Sequence, residues 1–462
     1  MRDTVKIQSR SLYLKELVVL LIKRMLHFTY HIVTASHTLY FVPSCVLSSI
    51  LMVIKLSIRT LHTACCLTPL FLAIGIPISF AETNESPPPS TTPRFLGVSS
   101  CASSHCHGSA KPRSSTPVLQ NEFFTWYKRD NHARAYRSLL TPEAIAMASH
   151  LGIGAPEKAH DCLQCHTTNA PKEMQGERFT VSDGVGCESC HGAAGNWIKS
   201  HVEKGTNHTR NVSQGLRDIV PPVARASLCI SCHAPTAENG LTHRLYGAGH
   251  PRVEFEIDSY ESVMPRHWRQ DDDYRERKSP ANRVQAWLIG QVILAESFAH
   301  RQNQAHLNRD FSLYQCYSCH HDFSKKQFLW RNYHDKPGEP PLNDSPIYIL
   351  STALGRDPES IQKNLAHLKR ELSSDPNITE RPRNMLVALL KSLTKAENFS
   401  FQYCEQAIMG ISVLINEMRD AGSELNLKAF EESLYREVQS ADRANPERLK
   451  QTAKAALKKL GV

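Results

Sequence analysis

Ten cysteines and five histidines of this chain fall into one repeated pattern. Four runs are strict C-x-x-C-H: Cys162-Leu163-Gln164-Cys165-His166, Cys187-Glu188-Ser189-Cys190-His191, Cys229-Ile230-Ser231-Cys232-His233 and Cys316-Tyr317-Ser318-Cys319-His320. A fifth, Cys101-Ala102-Ser103-Ser104-His105-Cys106-His107, is a C-x4-C-H variant with two extra residues in its loop. With 14 Cys and 23 His in 462 residues, chance would place roughly 0.02 C-x-x-C-H strings in a chain this long, so four are signal. Two thiols at this spacing reach the two vinyl groups of one porphyrin, and the adjacent imidazole meets the iron from the proximal side. The expectation is five covalent haems c with their iron, held through thioethers at Cys101, Cys106, Cys162, Cys165, Cys187, Cys190, Cys229, Cys232, Cys316 and Cys319, with proximal ligands His107, His166, His191, His233 and His320. Paired C-x-x-C units also build zinc sites, but zinc requires neither a histidine after every second cysteine nor an exported chain.

A low-spin haem needs a second strong ligand, and histidine is the abundant candidate. Methionine would raise the potential, and residues 95–335 offer only Met147, Met174 and Met264. The same stretch holds thirteen non-motif histidines: His105, His132, His150, His160, His201, His208, His243, His250, His267, His300, His306, His321 and His334. Type and position alone leave the choice among them open.

The elements that must position these groups follow a leader. Lys55 and Arg59 precede an apolar run, 64–78, and Ser79-Phe80-Ala81 offers small residues where a signal peptidase inspects, so residues 1–81 read as a leader cleaved after Ala81. Met52 would start a signal peptide of ordinary length, which makes residues 1–51 an over-long gene start; an uncleaved membrane anchor in this region is the alternative. The expected localisation is periplasmic. The net charge of +9 falls to +3 for residues 82–462, with 46 basic against 43 acidic side chains, and haem propionates would lower it further. That balance gives no footprint for a nucleic-acid partner. Cys45, Cys65 and Cys66 lie in the leader, so Cys404 alone remains outside a motif in the mature chain; a disulfide framework is excluded, and Cys404 reads as a buried small hydrophobe.

Residues 82–94 form a Pro-rich polar linker. Residues 95–335 carry every motif, with little sustained periodicity except at 283–300, where Val284, Leu288, Val292 and Ala295 recur at helical spacing after Pro280. From 345 to 462 the pattern is amphipathic and helical. Asp357-Pro358-Glu359 caps a stripe of Ile361, Leu365, Leu368 and Leu372, further stripes follow at 386–393, 408–418 and 427–438, and Asn445-Pro446-Glu447 caps the last helix. Five helices are expected there. The fold class is thus mainly α: a multihaem cytochrome c domain with little regular structure around the haems, then a C-terminal helical hairpin or bundle region.

The segments Gly97 to Gly108, Trp126 with 130–136, Cys187 to Gly192 with Trp197 and His201, and 246–252 resemble the multihaem cytochromes related to the tetrahaem electron acceptor of hydroxylamine oxidation. The likeness covers residues 95–255. It implies that His132 serves the Cys187/Cys190 haem, His201 the Cys229/Cys232 haem and His250 the Cys101/Cys106 haem, and it allows a five-coordinate Cys162/Cys165 haem. This chain departs from that family in its fifth motif, its enlarged first motif and its helical tail. His243 and His267, flanking His250, lead as ligands for the fifth haem, ahead of His300 and His306.

The function expected from these residues is electron transfer through closely spaced, mostly bis-His haems, between redox partner proteins, with the helical tail suited to docking on a membrane-bound redox complex. The rival is an oxidoreductase acting on a small nitrogen or sulfur oxyanion at one open haem. Pentahaem nitrite reductase, of similar haem arrangement, typically carries lysine in place of one motif histidine; all five motifs here end in histidine.

Overall fold

Helix is what the apolar spacing and the caps dictate, and helix dominates. The computed structural model describes residues 92–462 except 116–117, 305, 308, 321–339, 376, 378–379, 396–399, 424–425 and 440–443. The leader, most of the Pro-rich linker, His321 and His334 lie outside the described residues. Through the haem-motif region run α1 (Glu122–Arg129), α2 (Ala135–Ser138), α3 (Pro142–Leu151), α4 (His160–His166), α5 (Cys187–His191), α6 (His208–Ser213), α7 (Pro222–His233), α8 (His243–Gly247), α9 (Ile257–Val263), α10 (Asp272–Lys278), α11 (Arg283–Asn303) and α12 (Cys316–Cys319). The rest is α13 (Ser345–Leu354), α14 (Pro358–Lys363), α15 (Leu365–Ser374), α16 (Pro382–Leu393), α17 (Phe401–Asp420), α18 (Lys428–Val438) and α19 (Pro446–Lys459). Among the described residues β structure is limited to two isolated bridges, Phe95 with Gln175 and Tyr314 with Leu342. No helix among them is long and apolar enough to cross a membrane.

The axis of the fold is α11. Asn282 caps it by accepting from the Gln285 amide, and its residues Val284, Trp287, Leu288, Ile289, Val292 and Ala295 are fully buried. They are buried because α7, α13, α15 and α17 all pack on this one helix. The core runs without interruption from Ala226 and Ile230 in α7 to Leu457 and Leu460 at the C-terminus, so elements on both sides of 321–339 share it. Each fully buried Leu or Ile contributes roughly 1.5–3 kcal/mol of transfer free energy.

The expected stripes form helices, with two differences. The stripe from Ile361 to Leu372 is broken at Asn364, whose side-chain amide donates to the Ser360 carbonyl and ends α14 before α15 begins. An unexpected helix, α13, precedes it. Ile347, Ile349, Leu350 and Ala353 bury several sides of α13 at once, so it has no single apolar stripe. Seven helices therefore stand among the described residues of 345–462, not five. The caps behave as read: Asp357 accepts from the Ser360 amide and Asn445 from the Glu447 and Arg448 amides. Cys404 is fully buried in the core, and burial pushes its thiol up.

Where α17 crosses α11, Gly410 meets Trp287: a Cβ at Gly410 would sit 2.5 Å from the indole Cζ2. Gly410→Ala is expected to lower stability by roughly 1–3 kcal/mol through overpacking. Urea unfolding followed by helical circular dichroism checks this; an unchanged midpoint would mean that the crossing is looser than it stands.

Candidate haem centres

A C-x-x-C-H string wound into one helical turn puts both thiols, three residues apart, and the following imidazole on one face. The strict motifs obey this: the second is α4, the third α5, the fourth ends α7 and the fifth is α12. In α12 the His320 amide returns to the Cys316 carbonyl at 2.9 Å. The variant motif makes the same closure across its longer loop, with the His107 amide on the Cys101 carbonyl at 3.2 Å. Its extra residues bulge outward, fixed by Cys106 and Gly108 amides on the Ser103 carbonyl. Gly108 is required there, because a Cβ would fall 1.9 Å from the Ala102 carbonyl oxygen.

Each motif histidine faces one histidine from elsewhere in the chain. Ring centres are 6.3 Å apart for His107 and His201, 5.9 Å for His132 and His233, and 6.5 Å for His166 and His250. They are 6.4 Å apart for His191 and His267 and 6.0 Å for His243 and His320. Two metal–imidazole bonds of about 2 Å, plus about 1 Å from each bonding nitrogen to its ring centre, set two imidazoles about 6 Å apart across one metal. The spacing of all five pairs thus fits an iron between the rings.

The partners differ from those the resemblance implies. His132 lies against the fourth motif and not the third, His201 against the first and not the fourth, and His250 against the second and not the first. The second motif, which the resemblance allows to be open, has His250 opposite His166. His267 and His243 stand at the third and fifth motifs. His105, His150, His160, His300 and His306 are exposed, and His208 pairs with Asp218.

Ring orientation is set by the nitrogen that would not meet the metal. The Nδ1 of His107 bonds Glu122 at 3.0 Å and that of His132 bonds Asp130 at 3.0 Å. Backbone carbonyls take the Nδ1 protons of His166 (Ala135, 3.0 Å), His201 (Ile198, 2.6 Å) and His250 (Pro251, 2.8 Å). A ligating imidazole is held in this way, with Nε2 left free. The carboxylate partners raise the pKa of His107 and His132. Burial pushes His191 and His233 down to about 4, which keeps both rings neutral and their lone pairs available.

The motifs also lie against one another. The Cys101 and Cys187 thiols lie close enough for their charges to interact, as do those of Cys165 and Cys232, and Cys232 Sγ is 3.9 Å from the Gln164 carbonyl oxygen of the second motif. Cys190 lies close enough to Cys229 and Cys232 for their charges to interact. Sites one, three, four and two are therefore neighbours in that order. Three buried donors beside the facing histidines have no hydrogen-bond partner among the described residues: Trp197 Nε1 next to His201, the Tyr246 hydroxyl next to His250 and Trp268 Nε1 next to His267. Unpaired buried donors are costly, and indole and hydroxyl donors of this kind could hold haem propionates. No group of three or more His, Cys, Asp or Glu that could hold a metal ion forms among the described residues.

Residues 100–192 match the family model described as cytochrome c554 and c-prime. That match supports a cytochrome c family and with it covalent haem c, iron and haem-based electron transfer. No curated protein and no solved structure matches the chain.

One positioning residue escaped the sequence reading although it sits inside a motif. Glu188 is buried, and its carboxylate accepts from the Leu96, Gly97 and Ala194 amides, each at 2.8 Å. It ties the strand of chain entering the first motif to the third. The only sequence signal was an acid between two haem-type cysteines on a helix. Glu188→Ala, which leaves three amides unpaired, is expected to cost on the order of 3 kcal/mol. Thermal unfolding together with peptide mass analysis of haem attachment at Cys101 and Cys106 checks it; unfolding at the wild-type temperature would remove Glu188 from this role.

Proposed function

We propose that this chain is an exported pentahaem cytochrome c that carries electrons between redox partner proteins, each iron held between two histidine imidazoles. The observation that carries the reading is the set of five opposed ring pairs, 5.9–6.5 Å between centres, each joining one motif histidine to one remote histidine. An iron with two imidazoles passes electrons and has no place for nitrite or hydroxylamine until a ligand leaves. His250 opposite His166 favours the carrier over an enzyme with an open second haem. The protein's own contribution is then to fix spacing and to set potentials through ligand, burial and hydrogen bonds. Glu122 and Asp130, bonded to the Nδ1 of His107 and His132, make those two imidazoles the more basic ligands and favour the oxidised iron.

Export follows from the leader and from the chemistry, since c-type haem is attached outside the cytoplasm. The near-neutral mature chain is suited to protein partners and not to nucleic acid. A membrane-bound redox complex is a fitting partner for the helical region.

The test begins with intact mass after expression with a cytochrome c maturation system. The mature chain is expected to carry five haem masses; four would mean that the Cys101 motif is unused. Carbon monoxide added to the reduced protein, followed by assays with nitrite and hydroxylamine, then separates carrier from catalyst. Sustained turnover of either substrate would overturn the proposal.

A further inference from the structure

The fifth motif has no counterpart in the stretch that resembles the tetrahaem cytochromes, so its place relative to the other four has to come from this chain's own contacts. Two routes are open. One is residues 243–250: α8 begins with His243, which faces His320 of the fifth motif, and the turn after it delivers His250, which faces His166 of the second. Seven residues wound mainly as helix span about 10 Å, so ligands this close bring two porphyrins to near contact. Tyr246 stands between them. Its ring lies 6.2 Å from that of His250, its buried hydroxyl has no hydrogen-bond partner among the described residues, and it is near enough to Cys316 to interact with it electrostatically.

The other route leads to the fourth motif, and a charged cluster fills it. Arg252 donates to both carboxylate oxygens of Glu405, at 2.9 and 2.7 Å, and also bonds Glu254. Gln406 donates to Glu254 at 2.8 Å, and the Tyr260 hydroxyl donates to the Glu254 carbonyl at 2.9 Å. The charges of Arg252, Glu254 and Glu405 bear on Cys316 from one side, while Tyr260 and Phe255 cover the His233 ring at 4.9 and 6.1 Å on the other. Side chains, not porphyrin contact, separate these two sites.

We propose that the fifth haem is an end member of the chain of haems, joined to it through the second haem along residues 243–250, with Tyr246 as the residue between them. This rests on the bis-histidine reading above. It makes the order one, three, four, two, five, with the first and fifth haems as the two ends where electrons enter and leave. Electron transfer slows steeply with the gap between porphyrin edges, so the partner contacting the fifth haem would exchange electrons with the rest of the chain by way of the second.

Individual haem potentials, resolved by spectroscopic redox titration of the holoprotein, test the proposal. His243→Met keeps a strong ligand at the fifth haem and raises its potential; His250→Met and His132→Met mark the second and fourth haems in the same way. In His243→Met a large upward shift is expected at one haem and a smaller one at the haem that His250→Met marks. The smaller shift falling on the haem that His132→Met marks, or on no other haem, would overturn the proposed order. All five potentials unchanged in His243→Met would mean that His243 is no ligand, which overturns the ligation reading and the proposal together. Tyr246→Phe keeps the ring and removes the hydroxyl. It is expected to move the second or fifth potential alone, and a shift elsewhere or none would remove Tyr246 from its place between them.

Discussion

The opposition of two imidazoles across a space about 6 Å wide is the constraint on which the haem region depends. Each of the five pairs joins segments that are far apart in sequence: His107 with His201, His132 with His233, His166 with His250, His191 with His267 and His243 with His320. Before residue 222 the chain runs in short helices and turns that take no part in the main apolar core. With iron between the rings, each pair closes a loop of roughly 75–100 residues, and a link of that length removes substantial entropy from the unfolded chain. Metal binding and folding would then be one process, and the ligand pairs would hold in register a stretch poor in regular structure.

The core built around α11 and the helices of 345–462 supplies what the stretch before residue 222 lacks. Two of the five motifs are mounted on that core. In α7, Ala226 and Ile230 are buried against α11, so the helix that ends in the fourth motif is fixed by hydrophobic packing. At the fifth, the Gln315 side chain donates to the Leu342 carbonyl at 2.8 Å and to the Ser345 hydroxyl at 3.5 Å, joining α12 to α13, and Tyr317 packs edge-on to Phe401 of α17 at 4.9 Å. The first motif has no such support; Glu188 and the carbonyl closures around Gly108 hold it instead.

Much of this was legible in the sequence, and the limits have physical causes. The attachment motifs declare themselves because two thiols and an imidazole must share one face, which fixes local spacing. The amphipathic helices at 382–393 and 401–420 and the caps at Asp357 and Asn445 were equally local. The histidines that face the motifs could be narrowed to His132, His201, His243, His250 and His267, but not paired, because irregular loops carry no periodicity from which a distant partner can be read. A likeness of motif order assigned three of them to other motifs than the ones beside which the structure sets them. α13 went unseen because a helix buried on several sides has no polar face to reveal its period.

The central claim is that all five irons sit between paired imidazoles, and near-infrared magnetic circular dichroism of the fully oxidised holoprotein tests it most directly, since axial ligand pairs give distinct charge-transfer bands. The account predicts bis-histidine low-spin signal equivalent to every haem counted by mass. A high-spin haem, or one with histidine and methionine, in the unmodified protein would contradict it.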